Sequence, residues 1–378
     1  MVYKFPASFG GGEIMNLTYH NAVNLYKQNQ ISSISEYGTE GLRFLKLRSM
    51  SRPKYLRLLM MKANLAIPDD NKTDLLEICY HSHKITLELI DKVIKEIYQE
   101  DRNSRKEKED ELINELYKVQ TLDWGGLYQN NLEQTIINNY VKKIRSYDLL
   151  QSKIDNELAD SLRGYVTSSW YNHWTSIIIE DIFNDHNFIM PAVGKVKNID
   201  FFYKNIPLDL KVTNLPEGYI SEKRNEMGYE SEIKILKKCA QANKISYPKN
   251  LRPARLLEFL WSKLNDIPVT SIQETLSSIK TVRNNIIDNA LSDTRDLIRW
   301  LYENQGTRRF DASYRLYLVI INKSDYFNSW KLKRAKALLS NAINSFLDSN
   351  RGILYNIQFL WEGNVYQTKA GAIIVLQE

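Results

Sequence analysis

Cysteine is nearly absent from this 378-residue chain, which contains only Cys79 and Cys239. Two cysteines exclude a disulfide-stapled scaffold and a four-cysteine zinc site, and we expect both to be reduced thiols. No uninterrupted apolar run approaches the ~20 residues that a membrane-spanning helix needs. Residues Met1–Pro6 lack the apolar segment of a secretory signal peptide. We therefore expect a cytoplasmic protein with no membrane partner.

Repeats and nucleotide-binding glycine motifs are also lacking. No period of ~20–50 residues recurs, which argues against solenoids and propellers. Gly10–Gly12 is not followed by Gly-Lys-Ser/Thr, so it is not a P-loop. What is present is the composition of a packed globular protein, with 43% hydrophobic and 25% charged residues. The net charge of +6, from 51 Lys and Arg against 45 Asp and Glu, favours a polyanionic partner.

The spacing of apolar residues divides the chain into two regions. Residues 1–160 have mainly helical spacing, and residues 161–378 combine helices and strands, with a helical insertion at about 221–305. We therefore predict a mixed α/β fold with a mainly helical N-terminal region. The predicted helices include Leu132–Arg145, Ile154–Tyr165, Ser168–Phe183, Glu230–Ala242, Pro253–Leu264, Ser271–Ala290 and Trp330–Leu347. The predicted strands are Phe188–Val193, Ile199–Tyr203, Ile206–Val212 and Leu316–Ile321, followed by apolar segments at Leu354–Leu360, Val365–Thr368 and Ala372–Leu376.

The most informative segment is a predicted β-hairpin at residues 198–213. Lys204-Asn205 has the length of a two-residue hairpin loop, and Asn tolerates the positive φ that such loops require. Because side chains alternate along a strand, this loop also predicts which residues share a face. The predicted pairs on one face are Tyr203 with Ile206, Phe201 with Leu208, and Ile199 with Leu210.

Two aspartates meet on the other face of this hairpin. The register places Asp200 opposite Asp209, with Lys211 two residues further along the same face. Directly opposed like charges cost roughly 0.2–1 kcal/mol, and a divalent cation between them reverses the sign of that interaction. Mg²⁺ prefers oxygen ligands and is commonly held by one or two carboxylates together with substrate phosphate. Lys211 is then placed to contact a phosphate under attack by water.

The set formed by Asp200 and Asp209-Leu210-Lys211 resembles the motif of the PD-(D/E)XK nuclease superfamily. The core of that superfamily is an αβββαβ unit, in which a helix precedes the hairpin and a crossover and a further strand follow it. The predicted helix Ser168–Phe183 and strand Leu316–Ile321 stand at those places. Ile199 replaces the proline that gives the motif its name, at a position that does not bind metal. The resemblance implies a restriction-endonuclease-like catalytic domain and leaves residues 1–165 without a family.

The resemblance also implies a role for each site residue. Asp200 and Asp209 would bind Mg²⁺, which Mn²⁺ can replace, and Lys211 would position or activate water. Several members add a glutamate from the preceding helix; Glu180 is the candidate here, with Asp181 a weaker competitor. The attack of water would displace the 3′ oxygen and leave a 5′ phosphate.

The implied substrate is double-stranded DNA, cut at a short specific sequence by a type II restriction endonuclease. Cutting both strands of a symmetric site favours a homodimer, and a cognate DNA methyltransferase is the expected partner in the host. The N-terminal region is left for DNA recognition or dimerisation. Basic residues near the predicted site are expected to contact the phosphate backbone. These residues are Lys195, Lys197, Lys204, Arg308, Arg309 and Arg315.

Two alternatives remain open at this point. Another nuclease of the same superfamily, acting in repair, recombination or transposition, would share the chemistry but not the substrate. A DNA-binding protein without catalytic activity would share the basic surface alone. Restriction is favoured over repair because the sequence has neither a helicase P-loop nor the cysteines of an iron–sulfur cluster.

Overall fold

The computed structural model describes residues 17–68, 73–122, 134, 136–194, 196–248, 251–304, 313–349, 354–361 and 363–378. These residues form a mixed α/β fold with many helices around one six-stranded sheet, in agreement with the predicted fold class. No helix in the described ranges is both long enough and apolar enough to cross a membrane.

The N-terminal region is helical and has its own core. Thr18, Asp74 and Thr86 cap three of its helices by accepting hydrogen bonds from backbone amides of the first turn. The apolar faces pack into one cluster, which also contains Ile199 and Phe202 from the hairpin region. The helices are α1 (Tyr19–Lys27), α2 (Ile31–Glu36), α3 (Gly38–Ser49), α4 (Pro53–Lys62), α5 (Leu75–His81), α6 (Leu87–Lys106) and α7 (Glu109–Tyr117).

A long helical run follows this region. Helix α8 (Tyr147–Lys153), a π-helical turn (Ile154–Leu158) and α9 (Ala159–Asn184) succeed one another with helical backbone angles at both junctions. No proline interrupts the run. The prediction of separate helices at Ile154–Tyr165 and Ser168–Phe183 was therefore wrong. Of the predicted helix Leu132–Arg145, the structure has a π-helical turn at Ile137–Val141, and residues 132, 133 and 135 lie outside the described residues.

The sheet has the strand order β1-β2-β3-β4-β6-β5. Its first three strands are antiparallel, β3, β4 and β6 are parallel, and β5 is antiparallel to β6. The predicted strands are present with shifted ends, and two of the predicted C-terminal segments belong to the single strand β6. The strands are β1 (Ile189–Pro191), β2 (Phe201–Tyr203), β3 (Ile206–Asn214), β4 (Tyr314–Asn322), β5 (Tyr355–Trp361) and β6 (Asn364–Gln377).

Helices cover both faces of the sheet. Helix α9 packs on one face together with the C-terminal helix, and three helices of the β3–β4 crossover contribute to the core on the other face. The crossover consists of α10 (Glu217–Glu226), α11 (Glu232–Ala242), α12 (Pro253–Asn265), α13 (Thr270–Ser292) and α14 (Thr294–Asn304). The predicted helix Trp330–Leu347 is a 3₁₀ segment (Tyr326–Arg334) followed by α15 (Lys336–Asp348).

Candidate active site

The hairpin forms with the predicted turn. Lys204 and Asn205 both have positive φ, 45° and 70°, as a type I′ turn requires. Lys46 of α3 is 1% exposed, and its Nζ donates to Asn205 Oδ1 at 2.9 Å and to Asp91 Oδ1 at 2.6 Å. The N-terminal helices therefore hold the turn in place. The observed pairs are Tyr203 with Ile206, Phe202 with Pro207, and Phe201 with Leu208.

The regular pairing ends two pairs earlier than predicted. Asn198 has a positive φ of 54°, and the chain bends at Asp200, so neither the pair of Asp200 with Asp209 nor the pair of Ile199 with Leu210 is part of the ladder. Ile199 packs into the N-terminal core, whereas Phe201 packs on the opposite face against α9. The prediction that Ile199 shares a face with Phe201 and Tyr203 was therefore wrong.

Asp200 lies directly before β2 and contacts β3 through both its backbone amide and its carboxylate. Its amide donates to Leu208 O at 2.8 Å, and its Oδ2 accepts from Leu210 N at 2.7 Å. These two bonds hold the carboxylate against β3. Burial raises the pKa of Asp200 to about 6; the hydrogen bond from Leu210 opposes this rise, and the charge of Asp209 adds to it.

Asp209 is buried between two cations. Lys211 Nζ donates to its Oδ1 at 2.6 Å, and Arg315 Nε lies 3.3 Å from its Oδ2. Arg315 faces Asp209 across the parallel pair β3–β4 and is only 6% exposed. Its guanidinium lies 4.7 Å from the centre of the Tyr302 ring. This burial does not fit the expectation that Arg315 contacts DNA from an exposed rim; Arg315 instead supports Asp209 from behind.

Glu180 approaches the hairpin from α9. Its neighbours Ile178 and Ile179 are buried against the sheet, and Glu180 itself is half-buried. Burial first, and then the charges of Asp200 and Asp181, raise the pKa of Glu180 to about 7 against the influence of Arg105.

Asp181, the competing acidic residue on α9, is engaged elsewhere. Arg105 donates to both of its carboxylate oxygens, at 2.9 Å from Nε and 2.6 Å from Nη2. Tyr98 Oη donates to it at 3.2 Å, and Arg102 Nη1 lies 3.7 Å away. All three partners belong to α6, so Asp181 ties α6 to α9. This separates its role from that of Glu180.

The open part of the site lies along β3. Alternation puts Asp209, Lys211 and Thr213 on one face of this strand. On this face the N-terminal helices cover the neighbouring strand β2, and the crossover helices cover β4. Phe202 on one side is buried by the N-terminal helices, and Tyr317 on the other is buried by the crossover helices. The Lys211 side chain nevertheless remains 47% exposed. Solvent therefore reaches the Lys211 side chain, although Asp209 beside it is buried.

Two of the remaining basic candidates, Lys197 and Lys204, are described, and each contacts an aromatic residue. Lys204 lies at the hairpin tip over the rings of Phe188 and Tyr203. It is four steps along the strand from Asp200, a distance of ~13 Å. The backbone amide of Lys197 donates to Tyr26 Oη of α1 at 2.9 Å. Lys195, Arg308 and Arg309 lie outside the described residues.

The residues at the site fit a hard divalent cation by ligand type and charge. Glu180 and Asp200 are half-buried carboxylates, and the charge of Asp200 raises the pKa of Glu180, a situation that a cation relieves. Asp209 adds oxygen ligands beside them. In the described part of the chain, however, no three His, Cys, Asp or Glu side chains already stand together as a metal cage.

Sequence reasoning missed Arg315 as a partner of Asp209 and Lys46 as the support of the turn. Both contacts join residues that are more than 100 positions apart. The position of Arg315 directly before the predicted Leu316–Ile321 strand was the signal in the sequence that it lies near the site. That Asp209 is its partner followed only from the register of β3 and β4.

In comparisons with protein-family models, with curated protein sequences and with solved structures, no match to this chain was found. What the protein does is therefore inferred from its own residues.

Proposed function

We propose that this protein is a Mg²⁺-dependent endonuclease that cuts double-stranded DNA at a specific short sequence, as type II restriction endonucleases do. The observation that carries the proposal is the pairing of Asp209 with the half-exposed Lys211, together with Asp200, whose carboxylate the Leu210 amide holds on the same strand pair. Glu180 is the third proposed ligand, because the charge of Asp200 raises its pKa. The chain order of elements supports it as well. Helix α9, strands β1 to β3, the crossover helices and β4 follow one another in the αβββαβ order of the PD-(D/E)XK superfamily.

In this proposal Glu180, Asp200 and Asp209 bind the cation, and Mn²⁺ can replace Mg²⁺. The bound cation would lower the pKa of water and offset negative charge on the phosphate. The Leu210 amide keeps the Asp200 carboxylate oriented through its 2.7 Å hydrogen bond. Arg315 and Lys211 do the same for Asp209 from its two sides.

Lys211 has the second chemical role. Its ammonium group is fixed by Asp209 and is half exposed, so it can donate to a phosphate oxygen and stabilise the charge that develops during the attack. A bond forms between water oxygen and phosphorus while the bond from phosphorus to the 3′ oxygen breaks. The 3′ oxygen takes up a proton, and the products are a 5′ phosphate and a 3′ hydroxyl.

The proposed partners follow from the substrate. The net charge of +6 favours a polyanion such as duplex DNA. A homodimer and a cognate DNA methyltransferase belong to the same proposal, because a restriction endonuclease cuts both strands and its host DNA must be protected.

Digestion of unmethylated phage DNA tests this proposal. We expect discrete fragments from the unaltered protein with Mg²⁺ or Mn²⁺, and none with EDTA. Asp200→Asn should give no fragments, because it removes the ligand charge while its amide oxygen can still accept from Leu210 N. The matched control is Asp266→Asn, at an exposed position after α12, which should cut like the unaltered protein.

The other outcomes separate the alternatives. Nicking that depends on DNA structure would identify another nuclease of the superfamily. DNA binding in a gel-shift assay, without cleavage under either metal, would leave a non-catalytic DNA-binding protein and overturn the enzymatic proposal.

A further inference from the structure

The first part of the long helical run is only partly covered, and Tyr140 Oη donates to Glu157 there at 3.4 Å. Neither α8 nor the π-helical turn contains a buried residue, and the first buried residue of α9 is Ser168. The long helical run becomes buried against the rest of the protein from Ser168 onward, where Ser168, Tyr171 and Thr175 are the first buried residues. We refer to residues 147–170 as the arm.

An apolar stripe runs along the arm at a spacing of four residues. It consists of Ile154, Leu158, Leu162, Val166 and Trp170. The last three are 39%, 55% and 37% exposed, and the first two are half-exposed. Single exposed apolar residues are common, but a contiguous exposed stripe of this kind marks an interaction surface.

The π-helical turn helps to keep the stripe on one side of the arm. In an α-helix a step of four residues overshoots a full turn by ~40°, so such a row drifts around the axis. A π-helical turn contains more residues, and the step from Ile154 to Leu158 crosses one. This step takes back part of the drift. The stripe therefore stays opposite the face on which Ser168 and Tyr171 are buried.

The stripe is symmetric about Leu162. Leu158 and Val166 lie one step on either side of it, and Ile154 and Trp170 lie two steps away. In a two-fold dimer, residue i of one copy contacts residue j of the other, and j contacts i. Two antiparallel copies thus match Leu158 with Val166 and Leu162 with itself. Rows of four-residue spacing also interdigitate in the commonest class of helix packing.

We propose that a second copy of this chain docks on the arm and forms a two-fold dimer centred on Leu162. The arm has 24 residues, from Tyr147 to Trp170, and at ~1.5 Å per residue it offers a partner a helical surface ~36 Å long. Tyr147 and Leu149, which are 73% and 51% exposed, add apolar area next to the stripe.

The charges of the arm argue for this partner and against DNA. The arm contains four acidic residues and two basic ones, although the whole chain has a net charge of +6. Lys153 pairs with Glu157, and Asp160 pairs with Arg163, so the two copies would meet with little repulsion. Association through the arm is independent of the proposed cleavage chemistry, because it requires neither DNA nor metal.

Sedimentation of the full chain without DNA tests the dimer. We expect a concentration-dependent species of about twice the 44.3 kDa chain mass. Leu162→Glu should weaken the association at least ~10-fold, because two like charges then face each other at the symmetry axis. Met61→Glu, at an apolar residue that is 61% exposed on α4, is the matched control and should not weaken it. A monomer at every concentration, or association unaffected by Leu162→Glu in a folded variant, would overturn the proposal.

Cysteine cross-linking tests the symmetry itself. Cys79 is fully buried, so Cys239→Ser removes the accessible native thiol. In that background Leu162→Cys should form a disulfide between copies, because a residue on the axis meets its own equivalent within ~7 Å. Val166→Cys should cross-link poorly, because its expected neighbour is Leu158. Equal yields for both variants, or none for Leu162→Cys, would contradict a dimer centred on Leu162.

Discussion

We expect Lys211→Ala to bind duplex DNA almost as tightly as the unaltered protein but to cleave it roughly 100- to 1,000-fold more slowly. The lysine contacts the site through one hydrogen bond to Asp209, and its side chain is 47% exposed. Its removal takes away one positive charge where negative charge develops, while Arg315 still holds Asp209. The measurement pairs single-turnover cleavage with Mg²⁺ and a gel-shift titration in EDTA.

The control for this variant is Lys263→Ala, which removes an exposed lysine of α12 away from the carboxylates. It should change neither cleavage nor binding. If Lys211 served affinity alone, its removal would weaken binding and lower the salt dependence by about one counterion, with cleavage unchanged at saturating protein. Normal turnover by Lys211→Ala would remove this residue from the mechanism.

We expect Glu180→Gln to make the protein more stable in EDTA and inactive with Mg²⁺. Burial raises the pKa of Glu180 to about 7, so between pH 4.5 and 7 the folded state binds more protons than the unfolded state. The stability of the unaltered protein should therefore fall as pH rises through that window. At pH 8 Gln removes this cost, and the free energy of unfolding should increase by about 1–3 kcal/mol.

With Mg²⁺, the unaltered protein should become more stable to unfolding than Glu180→Gln. Saturation of a site that exists only in the folded state adds ~2.7 kcal/mol at 100 times the dissociation constant. The unaltered protein should gain this stabilisation, whereas Glu180→Gln should lose most of it. Urea titrations at pH 5 and pH 8, with Mg²⁺ and with EDTA, measure the four free energies of unfolding for each protein.

Asp181, the residue next to Glu180, supplies a control in which the substitution should lower stability. Asp181→Asn should lower the free energy of unfolding by ~2 kcal/mol, because it leaves Arg105 without its carboxylate partner, whereas Arg102 keeps Asp185 and Glu109. A loss of stability in Glu180→Gln as large as that in Asp181→Asn would show that Glu180 is a structural residue and would remove it from the metal site.

The hairpin was predictable because its information is local. A two-residue loop fixes the register from Tyr203–Ile206 to Phe201–Leu208, and alternation then puts Asp209 and Lys211 on one face of β3. The predicted pair of Asp200 with Asp209 is not part of the ladder, although Asp200 still bonds to Leu208 and Leu210. The same reasoning failed at Ile199, because the N-terminal helices bind this residue on the other face of the sheet. Tertiary packing decided the end of the strand.

Contacts between distant parts of the chain could not be predicted. The choice between Glu180 and Asp181 depends on Arg105 of α6, which claims Asp181. Arg315 reaches Asp209 only because β3 and β4 pair in parallel after a crossover of five helices. Local patterns in the sequence therefore pointed to the proposed carboxylates, and the fold decided which other residues support them.

The most direct test of the proposed metal site is an anomalous difference map from crystals grown with Mn²⁺. We expect a peak bounded by carboxylate oxygens of Glu180, Asp200 and Asp209, and we expect no peak there in Asp200→Asn. A peak bound elsewhere, with Asp209 still paired to Lys211 and Arg315 and no density between the three carboxylates, would contradict it.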